Sequence, residues 1–320
     1  MLEKIIEFLT VRPGYVKEGG ERLSRILMSR GIYANPDECR EGIRVFNQIA
    51  KSDEFYETER QLPNILLIDI ETAPMNVYVW KMWKQDVHDH QIERDWFCLT
   101  WSAKWLFDDK IYSNRLTPEE ALDCNDERIM VDLWPLLDKA NIVIAHNANG
   151  FDIPRVNMRF LYHGLTPTSG YQVIDTLTVL RKNFGFSSNK LDYVAKTLGI
   201  PAKIDDGGFE NWIAAMKGEE SALIKMEKYN RNDVVILEDV YMKIRPWIKS
   251  HPNVNLYNDY VGEACPNCGS SSVKETNKYY YTQVGRYEIV RCSTCGALGR
   301  RRVSTVDKDK RKSLLVSIAN

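Results

Sequence analysis

The chain has 320 residues, of which 44% are hydrophobic and 27% charged, with a formal net charge of −1. Such proportions belong to a folded globular protein and exclude a disordered chain, a collagen-like chain and a disulfide miniprotein, while the length suggests two or three domains. No run approaches the ~18 uncharged apolar residues of a membrane helix. The N-terminal MLEKIIEFLT carries Glu3 and Glu7 inside its apolar run, which makes a poor secretory leader. The expectation is therefore a cytoplasmic protein in a reducing compartment. The small net charge conceals an asymmetry: residues 261–320 hold 11 Lys and Arg against 5 Asp and Glu, and the rest of the chain holds 32 against 39. A basic tail on an acidic body suits an anionic partner such as nucleic acid, with a solubilising tail as the alternative.

Apolar residues near helical spacing (Ile5, Ile6, Phe8 and Leu9; Leu23, Ile26 and Leu27; Ile43, Val45, Phe46 and Ile49) predict three helices in the first 60 residues. Pro13-Gly14 and Gly19-Gly20 punctuate the first two, and Asn35-Pro36 precedes a third at about residues 36–50. Residues 1–60 thus read as a helical module, suited to a helix-turn-helix reader or to docking a protein partner. Lys51–Gln61 is polar and reads as a linker.

From 61 to 250 strands and helices alternate. Ile65–Ile70 is a continuous apolar run suited to a buried central strand. Phe97–Leu106 and Lys110–Ser113 read as strands, Asp126–Lys139 as an amphipathic helix, Ile142–Ala145 as a strand, Phe151–His163 as a helix and Gln172–Ile174 as a strand. Helices follow at about 190–198, 210–216, 219–228 and 230–248. This order predicts an α/β fold, a mixed sheet covered by helices on both faces.

Asp69 and Glu71 stand two apart at the end of the apolar strand, so both side chains share one face. Paired anions are costly without a positive partner, and oxygen-only ligands favour Mg²⁺ or Mn²⁺. The alternative is a strand running out into a solvated loop. Asn147 and Asp152 follow the strand Ile142–Ala145, where sheets of this kind build sites, though an aspartate at a helix start is also favoured by the helix dipole. Tyr229 and Asp233 lie four apart, on one helix face.

In order and interval these residues resemble the DEDD, or DnaQ-like, exonuclease superfamily with its ribonuclease-H-like fold. Asp69 and Glu71 match strand-D-x-E, with Thr72 after them; Asn147, Phe151 and Asp152 match N-x(2–3)-[FY]-D; Tyr229 and Asp233 match Y-x3-D. The histidine of the sister subclass is replaced at its position by Lys228, so the chain looks like the tyrosine subclass. The segments DIETAP, SAKWL and NKLDYVAKTLGI look most like standalone bacterial and bacteriophage members, which implies a bacterial or phage-infected cell. The resemblance implies two-metal phosphodiester hydrolysis from 3′ ends, with Asp69 shared by two Mg²⁺ or Mn²⁺ ions. Glu71 and Asp233 then hold one ion, Asp152 helps hold the other, and Tyr229 aligns the attacking water. Thr72, Ala73, Asn147 and Phe151 are implied near the substrate. DNA is the first expectation, by likeness to polymerase proofreading domains; an exoribonuclease and a non-catalytic nucleic-acid adapter are the rivals.

Cys265-Pro266-Asn267-Cys268-Gly269 and Cys292-Ser293-Thr294-Cys295-Gly296 form two C-x2-C pairs separated by 23 residues. Four thiolates match tetrahedral Zn²⁺, and the gap reads as strand, turn, strand, which resembles a zinc ribbon. Two disulfides and an iron–sulfur cluster are the competing readings. Tyr279, Tyr280, Tyr281 and Tyr287 lie among Lys278, Arg286 and Arg291, with Arg300-Arg301-Arg302 just after. Such a mixture suits stacking on bases and neutralising phosphates, or else tyrosines packing a small core. Residues 251–320 are therefore expected to form a zinc ribbon with a basic tail. His88 and His90 read as a hydrated loop.

Overall fold

Three amphipathic helices open the chain, α1 (Leu2–Val11), α2 (Gly19–Ser29) and α3 (Pro36–Ser52). They bury Ile5, Phe8 and Leu9 from the first, Leu23 and Leu27 from the second, and Cys39 and Phe46 from the third. Asn35 caps α3 reciprocally: its Oδ1 accepts from the Glu38 N–H at 2.9 Å, and its own N–H donates to Glu38 Oε2 at 2.9 Å. Pro36 takes the first helical position, where no N–H is needed. Gly19 and Gly20 begin α2 rather than break the chain before it. A Cβ on Gly20 would lie 2.4 Å from the Pro36 carbonyl oxygen, so only glycine lets α2 meet the start of α3.

The computed structural model describes residues 1–11, 15–16, 19–52, 62–201, 204 and 207–318. Pro13-Gly14 and residues 53–61 of the expected linker lie outside them, whereas Lys51 and Ser52 continue α3. Contacts divide the chain into two compact units, Asn64–Tyr241 and a second composed of Met1–Pro63 with Met242–Asn320.

Asn64–Tyr241 is built on a five-stranded mixed sheet. β1 (Ile65–Thr72) is its middle strand, and β2 (Asn76–Val77) and β3 (Ile92–Arg94) form a separate short hairpin. β4 (Cys98–Trp105) and β5 (Ile111–Arg115) extend the sheet antiparallel on one side of β1. On the other side β6 (Ile142–Ala145) and β7 (Gln172–Asp175) extend it parallel. Ile65–Ile68 are buried without a break, as a strand covered on both faces requires.

The helices of this unit are α4 (Pro118–Leu122), α5 (Glu127–Lys139), α6 (Asp152–Tyr162), α7 (Thr176–Asn183), α8 (Leu191–Thr197) and α9 (Gly208–Met216), together with α10 (Glu220–Ile244), whose last residues pass into the other unit. Leu66, Ile68, Leu99, Trp101, Leu133 and Phe160 belong to its main core. At the edge of that core Asp126, fully buried, accepts from the Cys98 N–H at 2.7 Å and from Arg159 Nε at 2.9 Å, tying β4 to α5 and α6. The mixed α/β fold matches the sequence reading, with one difference that matters for the site: the helices expected at 219–228 and 230–248 are one continuous helix, α10. The hairpin β2–β3 and the helices α4 and α7 are additional.

In the second unit β8 (Val273–Tyr281), β9 (Arg286–Cys292) and β10 (Leu298–Arg300) make an antiparallel sheet in the order β10-β9-β8, followed by α11 (Lys308–Ser313). β8 starts earlier than the sequence suggests and bulges between Glu275 and Tyr279.

Candidate active site

β1 ends in Asp69-Ile70-Glu71, and its pleat sends both carboxylates to the same face. There they meet Asp233 of α10: one oxygen from each of Asp69, Glu71 and Asp233 lies within 4.8 Å of the others. Tyr229, one turn before Asp233, is buried and hydrogen-bonds it. The continuity of α10 is what holds the phenol and the carboxylate on one face. Asp152 is the first residue of α6 and is buried. Burial pushes its carboxyl up to about 7, against the N–H groups of Asp152 and Ile70, which favour the anion. The Asp69 carboxyl is raised well above the usual range by burial first, then by Glu71, Asp233 and Asp152 in turn. Asp69 thus feels the other three acids, whereas the acid that acts on Asp152 is Asp175.

Two observations make this cluster a fit for hard cations. The Asp152 Oδ2 is buried without a hydrogen-bond partner among the described residues, and the Asp69 carboxyl is driven towards its neutral form by burial and by three neighbouring acids. Divalent ions with oxygen ligands relieve both. Burial and then Asp233 push the Tyr229 phenol up, so it keeps its proton at neutral pH.

Neighbouring residues hold these groups in place. Asn230 Nδ2 donates to Asp69 Oδ2 at 2.5 Å. Asp175 caps α7 by accepting from the Thr178 N–H at 3.2 Å, and also accepts from the N–H groups of Asn147 at 3.1 Å and Asn149 at 3.3 Å. It therefore fastens the loop leading to Asp152. Asn147 sits at a left-handed φ of 76°, a conformation asparagine tolerates better than most residues. His146 Nε2 donates to the Asn189 carbonyl at 2.9 Å, and burial pushes its imidazole down, so the ring is neutral. Asn230 carries no signal in the sequence, because its partner is 161 residues away. In the sequence Asp175 lies near the site pattern but reads equally as a cap or a surface charge.

Two clefts open near the carboxylates. A recess of about 500 Å³ is lined by Thr72, Ala73, Met75, Trp96, Arg155 and Trp212 among others. In it the Arg155 guanidinium lies over the Trp96 ring at 4.3 Å and the Phe151 ring at 4.5 Å, with Nη1 3.5 Å from Thr72 Oγ1. A polar trough of about 700 Å³ is lined by Asp69, Tyr229 and Asp233 together with Asn147, Arg181 and Lys190. Thr72 and Ala73 therefore line the recess, Phe151 reaches it only through Arg155, and Asn147 lines the trough.

The second centre lies in the strand-rich C-terminal region. Sγ atoms of Cys265, Cys268, Cys292 and Cys295 all lie within 4.8 Å of one another, with Cys265 to Cys295 at 3.6 Å and Cys268 to Cys292 at 3.7 Å. All four are free thiols. Each pair closes the same turn: Gly269 N–H donates to the Cys265 carbonyl and Gly296 N–H to the Cys292 carbonyl, with glycine φ of 77° and 79°. The Cys295 thiol is pushed down to about 7 by hydrogen bonds from Cys265 and Cys268. Around this centre Tyr279, Tyr280 and Tyr281 are exposed, not core. Arg286 stacks on Tyr279 at 4.8 Å and Arg300 on Tyr287 at 4.2 Å. Arg301 is engaged by Glu263, Glu275 and Glu288.

Residues 105–245 match the model of the RNase_H superfamily. The match takes in Asp152, Tyr229 and Asp233 and begins after Asp69 and Glu71. Among solved structures the chain is similar to the family B DNA polymerase from the hyperthermophilic archaeon Pyrobaculum calidifontis, at 14% identity and a TM-score of 0.42. That likeness covers 58% of this chain and 26% of the polymerase, so this chain spans about a quarter of that protein. No curated protein matches. No helix among the described residues is long and apolar enough to cross a membrane.

Proposed function

We propose that this chain, which carries an RNase H superfamily domain and two clusters able to hold metal, is a metal-dependent 3′-to-5′ exonuclease of the tyrosine DEDD subclass. The observation that carries the reading is the convergence of Asp69, Glu71 and Asp233, with the buried Asp152 near enough to act on Asp69, beside a protonated Tyr229. Asp69, Glu71 and Asp233 would hold one Mg²⁺ or Mn²⁺, and Asp69 with Asp152 a second. Bound ions there supply charge neutralisation for the phosphate and a lowered pKa for water.

The chain's own residues do the rest. Tyr229 keeps its proton and donates to Asp233, so it orients groups in the site and does not abstract a proton. Thr72 and Ala73 border the recess that receives the terminal nucleoside, where Trp96 and Trp212 offer aromatic faces to the base. Arg155, held between Trp96 and Phe151, places positive charge near the sugar–phosphate. Asn147, Arg181 and Lys190 line the trough through which the remaining strand runs, and the two cations there neutralise phosphates. DNA is the first substrate to test, on the likeness of the motifs to polymerase proofreading domains.

In the four-cysteine centre we read Zn²⁺. A tetrahedron with arms of ~2.3 Å has edges of about 3.8 Å, close to the 3.6 and 3.7 Å between paired sulfurs. The exposed Tyr–Arg stacks of β8, β9 and β10 then form a nucleic-acid-binding accessory to the catalytic domain. The N-terminal helices are left for a protein partner.

A time course on single strands labelled at the 3′ or the 5′ end, with and without Mg²⁺, tests chemistry, polarity and metal demand together. Loss of 3′ label as mononucleotide, dependent on Mg²⁺ or Mn²⁺ and abolished in Asp69→Ala, is expected; RNA of matched sequence should be cut more slowly. Strands bound but never shortened under any divalent metal would instead make the protein an adapter.

A further inference from the structure

Between β2 and β3 the chain displays apolar side chains that the folded protein leaves in water. Trp80 is 97% exposed, Met82 83% and Trp83 77%, and Lys81 and Lys84 alternate with them in Trp-Lys-Met-Trp-Lys. Large apolar faces grouped in water mark an interaction site. The hairpin under them is well fastened: Asn76 pairs with Arg94 and Val77 with Ile92, Tyr78 N–H donates to the Gln91 carbonyl at 2.9 Å, Gln91 Nε2 donates to the Tyr78 carbonyl at 2.8 Å, and Tyr78 Oη donates to Glu93 at 2.5 Å. The exposed segment is therefore presented on an ordered base.

We propose that this hairpin tip is a stacking platform for single-stranded nucleic acid approaching the carboxylate cluster, with Trp80 and Trp83 taking bases and Lys81 and Lys84 taking phosphates. It rests on the exonuclease reading above and adds to it a second point of grip. Two features select this occupant. The hairpin's root, Met75 and Trp96, lines the recess beside Thr72, and Trp80 lies five residues from Met75, no more than about 17 Å of chain. The terminal nucleotides of a strand whose end occupies the recess therefore lie within about that reach of the tip. The pattern also carries two cations and no anion between Trp80 and Lys84, which complements a strand with one charge per nucleotide. Bases have π-faces to offer tryptophan only where they are unpaired, so the platform suits single strands and not duplex.

The test uses the full chain carrying Asp69→Ala, so that binding is read without cleavage. Trp80→Ala with Trp83→Ala should weaken binding of a labelled strand of about 16 nucleotides by on the order of 10- to 10³-fold, since each stacked base contributes appreciably. Duplex of the same length should be affected far less, and Trp80→Phe with Trp83→Phe should keep most of the affinity. Tryptophan fluorescence should be quenched by oligo(dT) in the parent and much less in the alanine pair. In the active chain the alanine pair should raise KM on the long strand and leave hydrolysis of a dinucleotide unchanged. Failure of the nuclease reading leaves the binding and quenching arms intact, so the two ideas fail separately. Unchanged affinity and quenching on the single strand would overturn the platform. So would Trp80- and Trp83-dependent binding to phosphatidylserine vesicles in place of strands.

Discussion

A carboxylate pressed against three others needs a neutral donor to remain an anion, and Asn230 is the side chain that reaches Asp69. Its Nδ2 contact of 2.5 Å favours the charged form, against burial and the neighbouring acids. Removing it should leave the acids present but less ready for a cation. Asn230→Ala is expected to raise the Mg²⁺ concentration for half-maximal activity by about 10- to 100-fold, as the loss of a group orienting a metal ligand does, with most of the rate recovered at saturating metal. Asn230→Asp, which adds a fifth acid, should be worse at low metal. A metal titration that superimposes on the wild type would end this assignment. Tyr229 makes a different demand. Its phenol is pushed up by burial and by Asp233, and its ring meets Trp212 at 6.2 Å, edge to face. Tyr229→Phe keeps that packing and loses the hydrogen bond, so the rate should fall on the order of 10²-fold through misplacement while the pH profile keeps its shape. If the alkaline limb of the profile disappears in the phenylalanine variant, Tyr229 is titrating during turnover and its orienting role is wrong.

α10 carries the site and must not shift against the sheet. Besides the contacts of Glu227 and Arg231 with Ser113 of β5, an ion pair in the core ties it down: Lys104 Nζ of β4 meets Glu238 Oε2 at 2.7 Å, both side chains almost wholly buried, and the Phe107 N–H donates to Glu238 Oε1 at 3.2 Å. Glu238 lies five residues beyond Asp233, so the pair holds the helix next to the turn that carries Tyr229 and Asp233. Glu238→Ala leaves a buried ammonium without its partner and should destabilise the protein by about 3–5 kcal/mol, measured by urea denaturation. Lys104→Met with Glu238→Leu should recover most of that loss. Equal stabilities for the single and double variants would show that the pair is not what fastens α10. This pair is not legible in the sequence, because neither residue has a local signal and the two are 134 residues apart. The acids are legible for the opposite reason. Asp69 with Glu71, and Tyr229 with Asp233, are short-range pairs whose face is set by strand and helix periods alone. The sequence reading divides α10 between 228 and 230, but no proline or glycine stands there, and the helix runs through. The β2–β3 hairpin escapes the sequence reading because its apolar residues, Trp80, Met82 and Trp83, suggest no strand and face outward, where hydropathy gives no guidance.

Across the whole chain, the two units differ in what holds them together. Asn64–Tyr241 has an extensive apolar core in which Leu66, Ile68, Leu99, Trp101 and Val143 of one sheet face cluster with Leu133 of α5 and Phe160 of α6. The C-terminal sheet instead has a buried cluster of Cys265, Cys292 and Ala297, two of which are the proposed ligands themselves. On the zinc reading, a metal at the four thiols supplies what so little apolar area does not offset of the entropy of ordering β8, β9 and β10. Arg301 is taken up by Glu263, Glu275 and Glu288, so the proposed strand contact is assigned to cations such as Arg286 and Arg300 that lie on tyrosine rings. If the four-cysteine centre is structural and its sheet only grips the strand, stripping the metal should separate binding from chemistry. Cys268→Ser with Cys295→Ser, or exhaustive chelation followed by Mg²⁺ replacement, is expected to remove about one Zn²⁺ per chain. Amide protection should collapse over residues 265–300 and persist in Asn64–Tyr241. Dinucleotide hydrolysis should stay near the parent rate, while affinity for long strands falls together with the slope of its salt dependence. Persistent protection across 265–300 in protein shown to be zinc-free would mean that the thiols are not the fold's fastening. Loss of dinucleotide cleavage with the carboxylate domain still protected would place the four-cysteine centre in the chemistry rather than beside it.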